Sequence, residues 1–163
     1  MKKLVVYYSL EGNTRFVAET VAKELGADLL ELKPKKDVSV TSPMRFFWGG
    51  KQVVMGEKPE LFPLSKEASG YDLIVIGSPV WAFTYAPAIN SFLKLQPLKG
   101  KKIALFCCHE SDPAKTFDNL RKTLSGNEIV GQIDFNYPLR EKEGALKKIG
   151  EWVKTIKEAT KNA

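Results

Sequence analysis

Five short runs rich in apolar residues alternate with stretches in which apolar residues return every three or four positions. The runs are Leu4 to Tyr8, Asp28 to Lys33, Asp72 to Gly77, Lys102 to Cys108 and Gln132 to Tyr137, with Pro34 halting the second. Near-continuous apolar runs of this length predict strands covered on both faces. Of the helical stretches, the first opens after Thr14 and ends at Gly26. The next, Pro87 to Leu93, puts Ile89, Phe92 and Leu93 on one face, with Pro87 suited to a first turn. Pro113 opens a helix through about Leu124, and from Arg140 onward Leu146, Ile149, Trp152, Val153 and Ile156 recur at helical spacing. Strand alternating with helix five times predicts an α/β chain: a parallel sheet with helices on both sides, joined by right-handed crossovers.

The connection from Asp37 to Leu64 carries one further pattern. Ser42-Pro43 is a good helix start, followed by Met44, Phe46, Phe47 and Trp48 before Gly49-Gly50. A short extra helix over the sheet is the simpler reading. In the other, these aromatics rim a ligand or dock a partner, with Arg45 assisting an anionic group.

The 163 residues read most simply as one domain, 1–163, large enough for a two-sided core. Apolar content of 44% and charged content of 27% are ordinary for a globular chain. No stretch approaches a membrane span and the start is too short for a secretory apolar region, so the chain reads as cytoplasmic. The net charge of +6 invites a nucleic-acid reading. Half of it falls in 140–163, where seven basic residues less four acidic ones leave three, on the solvated side of an amphipathic helix. No nucleic-acid motif accompanies them, and neither nucleic acid nor metal is expected. Cys107 and Cys108 are adjacent at a strand end, where side chains point to opposite faces, so two buried thiols are expected rather than a disulfide.

In a parallel α/β sheet, ligands sit beyond the strand C-termini where the strand order reverses. That rule selects Ser9 to Thr14, Ser78 to Pro87 and His109 to Pro113. In the first loop, Ser9 and Thr14 offer hydroxyls, Asn13 a cap or an amide donor, and Gly12 a tight turn at a helix start whose free N–H groups attract an anion. Glu11 contributes its backbone amide, since an inward carboxylate would repel a phosphate. The loop has no lysine, no G-x-x-x-x-G-K-[ST] and no G-x-G-x-x-G, which points to a single phosphate monoester held by neutral donors. The second loop brings Trp81, Phe83 and Tyr85 to the crevice, flat surfaces suited to a flat ligand. A receiver domain would need an acceptor aspartate where Ser9 and Ser78 stand. A Cys-x5-Arg phosphatase would need arginine where Pro113 and Ala114 stand.

Taken together, Ser9-x-x-Gly12-Asn13-Thr14 after the first strand, Ile76-Gly77-Ser78-Pro79-Val80-Trp81-Ala82 after the third, and Ala86-Pro87-x-x-x-x-Phe92-Leu93 beyond resemble the flavodoxin family over nearly the whole chain. The resemblance implies a flavodoxin-like doubly wound five-stranded parallel sheet in three α/β/α layers, with non-covalent FMN. Carried over by position, Ser9, Leu10, Glu11, Gly12, Asn13 and Thr14 would cradle the phosphate. Pro79, Val80, Trp81 and Ala82 would flank the isoalloxazine, and Cys108, His109 and Glu110 would lie near its pyrimidine edge. The implied role is an electron carrier between redox partner proteins.

Three departures bear on that role. The family's electron shuttles are usually acidic, whereas this chain is basic. They often stack a tyrosine from the third loop on the flavin, whereas residues 108–112 contain no aromatic. They often use a glycine-bearing peptide beside the third-strand aromatic, whereas no glycine lies between Pro79 and Ala86. An open outer face suits the alternative, an NAD(P)H-dependent FMN oxidoreductase resembling quinone reductases. There His109 would hydrogen-bond flavin O2 or an acceptor, although a lone strand-end histidine is more often a local hydrogen-bonding residue.

Overall fold

The computed structural model describes residues 1–42 and 44–161, without the Phe46 side chain. Pro43 of the expected helix start, the Phe46 ring and the last two residues of the C-terminal stretch lie outside the described residues.

Strands β1 (Lys3–Tyr7), β2 (Asp28–Glu31), β3 (Leu73–Trp81), β5 (Lys102–His109) and β6 (Glu128–Asn136) form a parallel sheet in the order β2-β1-β3-β5-β6. The chain leaves β1 for β2 on one side and resumes with β3 on the other, so the order reverses between β1 and β3. A crevice opens at the carboxyl ends of such a pair.

Alternation along the strands splits the core into two apolar halves. Leu4, Val6, Ile74, Ile76, Ile103 and Leu105 face α3 (Pro87–Leu95) and α4 (Thr116–Thr123), burying Ile89, Phe92 and Leu120. Val5, Val75, Ala104 and Phe106 face α1 (Asn13–Leu25) and α5 (Lys142–Thr160), burying Val17, Val21, Ile149, Trp152 and Ile156. Strands covered on both faces read as unbroken apolar runs for this reason. Gly77 has a specific role: a Cβ there would lie 2.0 Å from Phe106 Cζ, so only glycine lets that ring cross the strand.

Several boundaries differ from the sequence expectation. β3 continues through Ser78 to Trp81, where a loop was expected, because Thr84–Tyr85 (β4) folds back antiparallel on Val80 and Trp81. β6 begins four residues before Gln132; it is an edge strand, only partly buried, and Gly131 and Gln132 interrupt its apolar run. α4 begins at Thr116 rather than Pro113, since the Asp112 carboxylate takes the Ala114 N–H at 2.7 Å and turns the chain before the helix. Leu146 is exposed and Ala145 faces the core in its place. The 37–64 connection does hold an extra helix, α2 (Arg45–Val54).

Candidate functional site

The first loop is built around one left-handed residue. Gly12 has φ 98°, which glycine adopts without strain, and it stands at the N-cap of α1. Its N–H donates to Ser9 Oγ at 3.2 Å, and its carbonyl accepts the first helical bond from Phe16 at 3.0 Å. Among the described residues no side chain caps α1 and none of its first turn is acidic. The free amides of that turn are therefore left for an anion. Asn13 is not the cap that the sequence allowed: its Oδ1 accepts the Leu139 N–H at 3.2 Å and ties down the turn after β6. The Glu11 carboxylate is taken by Arg45, Oε1 lying 2.9 Å from Nη1, which draws it toward α2.

The second loop is a hairpin. Val80 pairs with Tyr85 and Trp81 with Thr84, leaving Ala82 and Phe83 as a two-residue turn with φ 44° and 68°. Two positive φ values match the right-handed twist of a hairpin, but they favour Asn-Gly, not side chains of this kind. The buried Ser78 hydroxyl donates to the Pro79 carbonyl and accepts the Ala86 N–H, both at 2.8 Å, fastening the hairpin to the start of α3. Trp81 is held on two sides. Tyr8 meets it edge-on with centroids 5.3 Å apart, and Gly49 of α2 lies so close that a Cβ there would sit 3.3 Å from the indole. The Tyr8 hydroxyl donates to Asp37 at 2.7 Å, and burial, reinforced by that carboxylate, pushes its pKa far up.

The third loop follows β5. Cys107 and Cys108 are free and buried on opposite faces of the strand, as expected. Burial pushes the Cys108 thiol up to about 12 against the smaller opposing effect of the Thr14 hydroxyl, and raises Cys107 as well. Neither is a thiolate near neutrality. His109 Nε2 lies 2.7 Å from Asp134 Oδ2 of β6. Tyr137, in the turn after β6, has φ 39° and carries the Arg140 guanidinium 3.8 Å over its ring. Desolvation first, then the Glu110 carboxylate, raises its phenol.

These loops enclose one cleft of about 480 Å³. Of the thirteen residues expected from the sequence, every one except Gly12 lines it, and Gly12 shapes the backbone beneath. Several others line it as well, of which the sequence reading offers Arg45 only in its second account of the 37–64 connection, and Ser111 and Asp112 only as part of the third loop. Arg45, Gly49 and Gly50 reach the cleft from α2, while the exposed rings of Phe47 and Trp48 are not among its walls. Ser111, Asp112, Ala114 and Tyr137 line it too. Tyr137 could have been found by extending the strand-end rule to the last strand, but Gly49 carries no spacing signal that leads to Trp81.

A family model described as flavodoxin matches residues 2–156. The chain belongs to the flavodoxin family. A flavodoxin of Maridesulfovibrio salexigens is 31% identical over 122 residues, a segment that covers 68% of this chain and 65% of that relative. Two solved structures share the fold. A flavoprotein of Lactobacillus acidophilus in complex with FMN is 24% identical with a TM-score of 0.71, covering 86% of this chain and 97% of that one. A candidate flavoprotein of Bacteroides eggerthii is 26% identical with a TM-score of 0.74, covering 95% and 97%. The observed sheet is thus the flavodoxin sheet of five parallel strands plus the two-residue β4. The third-loop tyrosine often found in flavodoxins is absent here as the sequence stated, and a ring from the following loop, Tyr137, stands at the cleft instead.

Proposed function

We propose that the cleft binds FMN without a covalent bond and that the protein passes electrons between larger redox proteins. The observation that carries this reading is that an uncapped helix start and a braced indole share one cleft. In this reading the first-turn amides of α1, with Ser9 and Thr14, hold the terminal phosphate. Neutral donors suffice for one monoester, and the Arg45–Glu11 pair keeps the only carboxylate of the loop away from it. Trp81 stacks on the ring system, its plane fixed by Tyr8 and Gly49. Pro79 to Ala82 offer main-chain groups to the polar edge, and Cys108 packs as an apolar wall that takes no part in thiol chemistry. FMN, when bound, supplies one- and two-electron redox chemistry, and stacking, charge and hydrogen bonds from the protein tune it.

Protein stripped of any cofactor by acid regains a flavin spectrum with FMN but not with riboflavin, because the phosphate is the anchor. Trp81→Ala weakens FMN binding about 3- to 10-fold, corresponding to roughly 0.5–1.5 kcal/mol of aromatic contact. Absence of FMN uptake refutes the assignment.

One feature favours a second reading, an NAD(P)H-dependent FMN oxidoreductase. The wall formed by Ser111, Asp112 and Ala114 carries no ring, which leaves that side open to a second flat molecule. Anaerobic mixing of the loaded protein with NADH or NADPH separates the two: rapid flavin bleaching without a partner protein marks the reductase, and no bleaching marks the carrier.

A further inference from the structure

The cleft contains an imidazole whose bonding is half complete. His109 is the only histidine of the chain, and its side chain is 5% exposed. Nε2 is engaged by Asp134 at 2.7 Å, whereas Nδ1 is buried with no hydrogen-bond partner among the described residues. A buried nitrogen left unpaired costs about 1–3 kcal/mol, so such an orphan in the wall of a cleft marks a place that a ligand completes. The carboxylate fixes the role of each nitrogen. With Nε2–H donating to Asp134, Nδ1 accepts a hydrogen bond when the ring is neutral and donates one when it is protonated. Asp134 itself is 40% exposed and links the buried ring to solvent, a path along which a proton can move.

We propose that the His109–Asp134 pair is the redox-linked proton acceptor of this cleft, taking up a proton when the bound flavin is reduced and placing an imidazolium beside the negative charge that reduction creates. The inference rests on the FMN reading. In the balanced step, two electrons come from a reductant, dithionite in the laboratory and a reduced redox protein in the proposed role. One proton enters with them at flavin N5. The ring system then carries one negative charge more than before, and a second proton binds His109 Nδ1, so two protons accompany two electrons.

The surroundings make this pair the acceptor of choice. Along the cleft, Glu11 is paired with Arg45 of α2, Glu110 lies by Tyr137, and Asp112 is bonded to the Ala114 amide. From α5, Lys148 Nζ reaches the Asp134 main-chain carbonyl and not its carboxylate, while Arg140 is stacked on Tyr137. The thiols beside His109 stay protonated, as burial dictates. An imidazole is the side chain best suited to change charge between pH 5 and 8.

Because the chain has one histidine, its imidazole signal in proton NMR reports this site without ambiguity. FMN-loaded protein is titrated from about pH 5 to 9, oxidised and then reduced with dithionite. The histidine midpoint is expected to move up by roughly one to three pH units on reduction, the size an adjacent opposite charge produces. In the interval between the two midpoints, indicator-dye measurements are expected to give more than one proton taken up per flavin reduced. His109→Gln removes that excess, and Asp134→Asn lowers the histidine midpoint in both states. Identical midpoints in oxidised and reduced wild-type protein overturn the proposal, whether or not either variant folds. Failure to load FMN at all overturns the cofactor reading together with this one, whereas normal loading with an unmoved histidine overturns this one alone.

Discussion

Replacing Ala82-Phe83 by Asn-Gly should raise the stability of the FMN-free protein by about 1 kcal/mol, although the change deletes a large apolar side chain. Both residues are left-handed, at φ 44° and 68°, because the Trp81–Thr84 pair leaves a two-residue turn that must match the twist of its strands. An L side chain in that region costs roughly 1–2 kcal/mol, with asparagine penalised less and glycine not at all. Against this gain stand two losses. Glycine adds about 0.4–1 kcal/mol of chain entropy to the unfolded state. Phe83 is 77% exposed, so about a quarter of the 1.5–3 kcal/mol that a fully buried phenylalanine contributes, or roughly 0.5 kcal/mol, is forfeited. The balance stays positive, and in a chain of this size 1 kcal/mol corresponds to a rise of about 2–4 °C in Tm. Urea unfolding of the apoprotein, with the m value checked, provides the assay. Equal or lower stability at unchanged m would show that the turn is not strained or that Phe83 packs more than its exposure implies. Ala82 and Phe83 also line the cleft, so FMN titration of the same variant measures what the strain does for binding.

Gly77→Ala should destabilise the fold by about 3 kcal/mol, the upper end of ordinary overpacking, because the new methyl meets a fully buried Phe106 ring braced edge-on by Phe135 and Trp152. A loss below about 1 kcal/mol in urea melts would mean that the ring has room to move. The buried thiols predict an alkaline limb of instability. Cys108 titrates near 12 in the folded chain against about 8.5 unfolded, so the contribution of the protonated thiol is complete below the unfolded value and is lost as pH climbs from about 9 toward 12, with Cys107 acting in the same direction. Replacing both cysteines by alanine should flatten that limb, and Ellman's reagent at pH 8 should find no reactive thiol until denaturant is added.

The fold was legible where burial on both faces leaves a continuous apolar signature, as in Leu4–Tyr8 and Lys102–Cys108. It was less so where pairing rather than composition decides. Ser78 to Trp81 reads as loop because Pro79 and the aromatics break the pattern, yet β4 returns to pair with it and the Ser78 hydroxyl supplies bonds that sequence spacing does not show. Leu146 and Ala145 exchanged roles for a similar reason: a one-residue rotation of α5 decides which of two adjacent side chains faces Phe106 and Phe135, and helical periodicity alone does not resolve it.

The site shows the same division between local chemistry and register. Residues 9–14 and 79–82 were recoverable because each set is contiguous and strand-end loops converge by topology. Asp134 was not, and the reason is a single residue. Ile103 pairs with Ile129 but Ala104 pairs with Gly131, so β6 carries one extra residue, Val130, at a bulge. Downstream, Cys107 is opposite Asp134 and His109 opposite Asn136. Side chains in register share a face and alternate along each strand, so Asp134 shares the face of Cys107 and of His109 two positions on. Without the bulge, Asp134 would stand opposite Cys108 and point to the other side of the sheet, and the His109 imidazole would lose the carboxylate that orients it. A one-residue slip reverses every facing beyond it, which is how a bulge re-aims a side chain beside a site. The proposed proton acceptor therefore depends on a backbone irregularity that belongs to no motif: it is set by Val130 in an edge strand, four residues ahead of Asp134 and outside the strand-end loops that the cleft chemistry selects.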